Sequence, residues 1–197
     1  MLNNNGYIVK ELIINEDCVG FGCNIYRGVE SFVNWPLDEE LDLVSKHLTA
    51  ECEKHFENNN CLEILCDLDL LERYVKHCEA LGKEIVVLKV MSKNGSTTAA
   101  DFDLPETEFL GYDCMAGDSV SYLVELFVDE SVGGVDEDIV MKTYTAFRDR
   151  LNANCLLSTY EEVEEFISER NKLLECGINL EDYWKPVPVR LSLVSIK

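Results

Sequence analysis

Glu84-Ile85-Val86-Val87-Leu88-Lys89-Val90-Met91-Ser92 is the stretch on which the fold turns. It is a near-continuous apolar run rich in β-branched residues, and it predicts a strand at the centre of a sheet. Gly82 stands just before it and is suited to end a helix. That helix is predicted over residues 67–81, with Leu68, Leu71, Val75 and Cys78 at helical spacing on one face. Upstream, Asp38 caps a second helix to about Phe56, with Leu41, Val44, Leu48, Cys52 and Phe56 as its inward stripe and the Asn58-Asn59-Asn60 run as its stop. Residues 7–14 and 24–33 read as strands, with Trp35-Pro36 ending the second. A short strand is expected at 61–66.

Residues 93–107 carry Gly, Ser, Thr, Asp and Pro without a period and read as a loop. Beyond it, residues 109–113 read as a short strand and turn, and 119–128 fit strand and helix equally well. Gly133-Gly134 breaks the chain, and Asp136 then caps a helix to about Leu151, with Val140, Tyr144, Phe147 and Leu151 inward. Ser158 or Thr159 caps a long helix to about Leu174, completed as a capping box by Glu161 or Glu162, with Val163, Phe166, Ile167 and Leu174 inward. Residues 187–194 alternate with period two and read as a closing strand. The order is mixed and shows no fixed repeat. It predicts an α+β domain over residues 1–197, with a mixed or mainly antiparallel sheet packed against about four helices. Lobes at 1–98 and 108–197 would join at the loop.

The chain has 197 residues, of which 47% are apolar, so a core can be buried. Its formal net charge is −21 and its sequence pI about 4.4. That charge argues against holding nucleic-acid phosphates or anionic lipid. No apolar run reaches membrane-spanning length, and the N-terminus has no basic-then-apolar leader, so a cytoplasmic protein is expected. Nine cysteines at irregular spacing, in a reducing setting, are expected to stay thiols.

None of the common phosphate-binding, dinucleotide-binding, zinc-protease or serine-hydrolase motifs occurs, so no catalytic residue and no cofactor is expected. His47, His55 and His77 read as helix residues rather than bases. Cys52-x-x-His55, with Cys61, Cys66, His77 and Cys78 nearby in sequence, has spacing that a zinc site can use. The simpler reading puts Cys52 and Cys78 on apolar helix faces as small hydrophobes. Asp113 and Asp118 flank a glycine-containing turn, where an Asp caps the turn more often than it binds a cation.

The surplus of acid is the remaining signal. Glu161, Glu162, Glu164, Glu165 and Glu169 crowd the last helix, and Asp136, Glu137 and Asp138 precede it. A small domain stays dissolved with a net charge of about 2–8. A charge of −21 exceeds that need and would steer a basic partner. Those eight acids, with Tyr112 and Asp113, form the candidate partner-binding set. Tyr160, Tyr183 and Trp184 are candidate anchors or core.

Leu110-Gly111-Tyr112-Asp113, Asp118-Ser119-Val120-Ser121, Leu151-Asn152, Leu156-Leu157, Glu161 to Arg170-Asn171 and Pro188-Val189-Arg190-Leu191 together resemble a pattern in uncharacterised bacterial immunity-type proteins. These sit beside polymorphic toxins. The resemblance covers residues 109–194 and implies a class of role, inhibition of a basic toxin such as a nuclease, with no site residues to carry over. A zinc-binding regulator or an enzyme with a non-standard site is the second reading. A structural or assembly module, acidic only for solubility, is the third. The oligomeric state is not legible in the sequence.

Overall fold

A computed structural model describes residues 2–16, 23–28, 39–59, 63–93, 99–116, 119–120, 146–175 and 186–196. Strands β1 (Asn3–Glu16) and β2 (Cys23–Gly28) come first, followed by helices α1 (Glu39–Asn59) and α2 (Leu68–Ala80) and strand β3 (Ile85–Ser92). Strands β4 (Glu106–Ala116) and β5 (Ser119–Val120), helix α3 (Tyr160–Glu175) and strand β6 (Val187–Val194) complete the described elements. The fold is α+β, and the strands run in the order β2-β1-β3-β6-β4-β5. The β1–β3 and β4–β5 ladders are antiparallel. No helix among the described residues is long and apolar enough to cross a membrane.

The chain divides into two compact units. One comprises Met1–Leu12, Tyr26–Phe109 and Ser192–Lys197, and the other Ile13–Ile25 and Leu110–Leu191. In the first, Tyr7, Val9, Leu48, Cys52, Leu65, Leu70, Leu71, Val75 and Val87 form the buried core. Helix α2 begins where its sequence says: the Asp67 carboxylate accepts from the Leu70 N–H at 2.9 Å, and Gly82 follows the helix at φ +72. Between α1 and α2 the Ser45 hydroxyl and His77 Nε2 lie 2.7 Å apart, both buried, and burial lowers the His77 pKa.

In the second unit Cys114, Phe147, Leu157, Val163 and Phe166 form the core, with Phe147 and Phe166 meeting edge to face at 5.1 Å. Residues 146–148 are helical and turn at 149–150. The rest of the helix expected from Asp136, like residues 29–38 and 121–145, lies outside the described residues.

One arrangement occurs in both units. Tyr7 exchanges two backbone hydrogen bonds with Leu65, at 2.9 and 2.7 Å, and Tyr112 exchanges two with Leu157, at 2.8 and 3.0 Å. Each tyrosine follows a glycine at positive φ, Gly6 at +130 and Gly111 at +144. A Cβ on Gly6 would stand 2.5 Å from Ile64 Cγ2 and 2.9 Å from the Leu65 carbonyl oxygen. On Gly111 it would stand 2.7 Å from Leu156 Cβ and 2.9 Å from the Leu157 carbonyl oxygen. Only a residue without a side chain lets the strand come this close. In both units a helix starts three residues after the bridge, α2 at Leu68 and α3 at Tyr160. Among the described residues, the element order β4, β5, helical turn, α3, β6 thus parallels β1, β2, α1, α2, β3. The bridges share Gly-Tyr on the strand and a leucine opposite, too few identities for the sequence to read as a repeat.

Several expectations are corrected. Strand β1 starts at Asn3, before the expected residues 7–14, because the asparagines bond as ladder members. Asn5 sits at a bulge and its Oδ1 accepts from both N–H and O–H of Ser92 at 3.1 Å, while Asn4 Nδ2 donates to the Phe102 carbonyl at 3.1 Å. Strand β4 runs through Gly111 where a turn was expected. Of the strand expected at 61–66, residues 63–66 are described and supply one bridge at Leu65. On α1 the buried face is Ser45, Leu48 and Cys52, while Val44 is 46% exposed and so leaves the expected stripe. The helix continues through Asn58 and Asn59, because Asn59 Nδ2 donates to the His55 carbonyl at 2.8 Å and satisfies a last-turn acceptor. Cys155 is disulfide-bonded, against the expectation of thiols throughout.

Gly6→Ala and Gly111→Ala are each expected to lose roughly 2–5 kcal/mol in urea unfolding, from left-handed strain plus overpacking. Gly82→Ala meets open space and should lose only about 1 kcal/mol. Equal losses at all three glycines would show that the close approach carries no special weight.

Candidate functional site

The acidic helix α3 is built from its first residue. Thr159 is its cap: its Oγ1 accepts from the Glu162 N–H at 3.2 Å. Glu162 Oε2 reaches back to accept from the N–H groups of Ser158 and Thr159, both at 3.0 Å. This is the capping box foreseen in the sequence, with Thr159 and Glu162 as its pair. Val163 and Phe166 face the core, and Tyr160 is buried at its edge, 6.1 Å from Tyr112 in an edge-to-face contact.

One arginine organises the exposed side. Arg150 Nε donates to Glu162 Oε1 at 3.3 Å and Arg150 Nη2 donates to Glu165 Oε2 at 2.8 Å. Its guanidinium lies 4.8 Å from the Phe147 ring centre, over the face of that ring. Burial opposes ionisation of Glu162, but the Thr159 and Ser158 N–H groups and Arg150 outweigh it and hold the carboxyl below its ordinary 4.5. The Arg150 hydrogen bond likewise lowers Glu165. Glu169 is paired with Lys172 one turn on. Glu161 and Glu164 are exposed, and no ion pair among the described residues holds either of them. Burial, and then the fields of Glu164 and Glu161, raise the Tyr160 hydroxyl pKa.

The candidate partner-binding set therefore separates. Glu161 and Glu164 present open charge. Glu162, Glu165 and Glu169 are engaged within the helix and by Arg150. Tyr112 is half-buried. Asp113 is fully buried in mid-strand, with its Oδ1 accepting the Cys114 N–H at 2.7 Å, so it is neither a turn cap nor a surface contact. Asp136, Glu137, Asp138, Asp118, Tyr183 and Trp184 lie outside the described residues. Exposed carboxylates occur in the first unit too, Glu53 and Glu57 on α1 and Glu79 on α2.

The cysteine–histidine cluster also separates. Cys52 is buried in the first core, and burial pushes its thiol up to about 11. Cys78 is buried and pushed up to about 12 for the same reason. His55 and Cys66 come together, with Cys66 Sγ 3.3 Å from His55 Nε2. Cys61 lies outside the described residues, and among those described no group of three ligands is assembled. His47 is exposed, whereas His77 is buried against Ser45. Arg150 was not singled out from the sequence. Its only sequence signal is a cation between an aromatic residue three positions earlier and a capping box downstream.

Comparison with known proteins finds no matching family model, no significantly similar curated protein and no significantly similar solved structure.

Glu162→Ala removes the acceptor of two backbone N–H groups and is expected to cost about 1–2 kcal/mol in thermal or urea unfolding. Glu165→Ala, which removes one exposed contact, should cost distinctly less. The Glu162 contribution should be complete above pH 4.5 and disappear as the pH falls through its lower folded-state value. Equal losses for the two variants would contradict this division of roles.

Proposed function

We propose that the chain is a binding protein for a basic partner, acting as an immunity-type inhibitor of a cationic toxin such as a nuclease. The observation that carries the reading is a formal net charge of −21 on 197 residues, with Glu161 and Glu164 exposed beside each other's helical turn on α3. A nuclease must be cationic to hold its substrate, and an acidic inhibitor can occupy the same surface. Charge of this size raises the rate of encounter, while affinity comes from a few desolvated anchors. Tyr112, half-buried beside the start of α3, is the described residue placed to serve as one.

Arg150 fits this role as support. It pairs with Glu162, which holds the helix start, and with Glu165, and leaves the open charge on Glu161 and Glu164. The reading places the protein in the cytoplasm, where a nuclease would act. The Cys155 disulfide argues the other way, because such bonds persist in oxidising compartments.

The product of the neighbouring gene is the partner to test. Its association with this chain should be fast at low salt and slow by about tenfold or more at high salt. Glu161→Lys with Glu164→Lys should slow association similarly while leaving the melting temperature near that of the parent chain. A neighbouring product that is not basic, or one bound equally at all salt concentrations and by the double variant, would overturn the reading.

A further inference from the structure

Four free cysteines are described: Cys52, Cys66, Cys78 and Cys114. Three are buried, and only Cys66 is partly open. Its surroundings are built by two helices. On its N-terminal side Leu65 is fixed by the two backbone bonds to Tyr7. On its C-terminal side Asp67 caps α2. Cys66 therefore has a fixed backbone, immediately before a helix start.

His55 comes from α1. The Cys66 N–H donates to His55 Nε2 at 3.2 Å, and Cys66 Sγ lies 3.3 Å from the same nitrogen. A nitrogen that accepts an N–H presents a lone pair, so neutral His55 carries its proton on Nδ1. Nε2 has one lone pair, so the thiol 3.3 Å away can use it only as the Cys66 N–H gives it up. Asn59, one turn further along α1, is tied to the His55 carbonyl at 2.8 Å, and its Nδ2 lies 3.5 Å from Nδ1. Phe56 meets the imidazole edge to face, 6.0 Å between ring centres.

We propose that Cys66 is a nucleophilic thiol, with His55 as its proton acceptor, that reacts with small uncharged electrophiles of the hydroperoxide class. Burial, together with the carboxylates of Asp67 and Asp101, keeps the resting thiol protonated, so activation occurs as the thiol attacks. The Cys66 N–H releases His55 Nε2, and the S–H proton passes to that nitrogen as sulfur attacks the terminal oxygen of the hydroperoxide. The S–O bond forms, the O–O bond breaks, and the departing alkoxide or hydroxide takes the proton from His55. Sulfur is oxidised by two electrons to Cys66 sulfenic acid, and the peroxide is reduced to an alcohol or water. The same two carboxylates disfavour anionic reagents. The proposal is independent of the inhibitor reading and needs no basic partner.

The test uses the full chain without reductant, with sites resolved by mass spectrometry. Hydrogen peroxide followed by dimedone should label Cys66, while Cys52, Cys78 and Cys114 stay unlabelled and report that the protein is folded. Iodoacetamide should alkylate Cys66 faster than it alkylates glutathione at the same pH, and iodoacetate should lag behind it. His55→Gln should slow iodoacetamide by at least roughly tenfold, with the three buried thiols still protected. Should His55→Gln expose those thiols, the parent chain still decides through its rate relative to glutathione. Labelling of Cys66 slower than glutathione, an unchanged rate in folded His55→Gln, or no dimedone adduct at Cys66 would overturn the proposal.

Discussion

A pair of backbone hydrogen bonds, made once in each unit, fixes what the rest of the molecule can do. Tyr7 with Leu65, and Tyr112 with Leu157, tie a strand to the segment that enters a helix. Neither tie can form without the glycine before the tyrosine, because a Cβ there would meet the partner's carbonyl oxygen at 2.9 Å. Main-chain bonds of this kind leave the side chains free for other work. In the first unit Tyr7 stacks on Phe102 at 4.9 Å, and its hydroxyl accepts from the Leu104 N–H at 2.8 Å, which holds the segment after residue 99 against the core. In the second, Tyr112 supports Tyr160 at the start of α3. The two candidate sites begin next to the ties: Cys66 follows Leu65, and the Thr159–Glu162 box follows Leu157.

Charge is managed around that frame rather than spread passively over it. A net charge of −21 repels itself, which destabilises a compact chain. Three cations among the described residues each meet two acids. Arg150 bridges Glu162 and Glu165, Arg73 bridges Glu51 and Asp69, and the nearly buried Lys89 lies between Asp103 and Glu106. The exposed pairs on Arg73 add little stability one by one. The effect of the three cations is to decide which carboxylates remain open, and on α3 those are Glu161 and Glu164.

Much of the fold was legible. Apolar runs located β3 and β6, and cap chemistry located α2 and α3 to within a residue or two, because both signals are local. What escaped depends on partners distant in sequence. The first strand is expected only from residue 7, yet Asn5, before it, bonds Ser92 across the sheet. Gly111 reads as a turn, yet it continues a strand past Leu156. Asp113 reads as surface because aspartate usually is, yet it is buried between apolar neighbours. The metal-like spacing around Cys52 and His55 does not survive folding: His55 turns to Cys66, and Cys52 turns to the core.

Native-state amide hydrogen exchange tests the frame most directly. The N–H groups of Tyr7, Leu65, Tyr112 and Leu157 should exchange as slowly as those in the middle of β3, opening only with the unit that contains them. Exchange of these four amides at the rate of exposed loop amides would contradict the account, because the ties could not then be what positions α2, α3 and the groups at their starts.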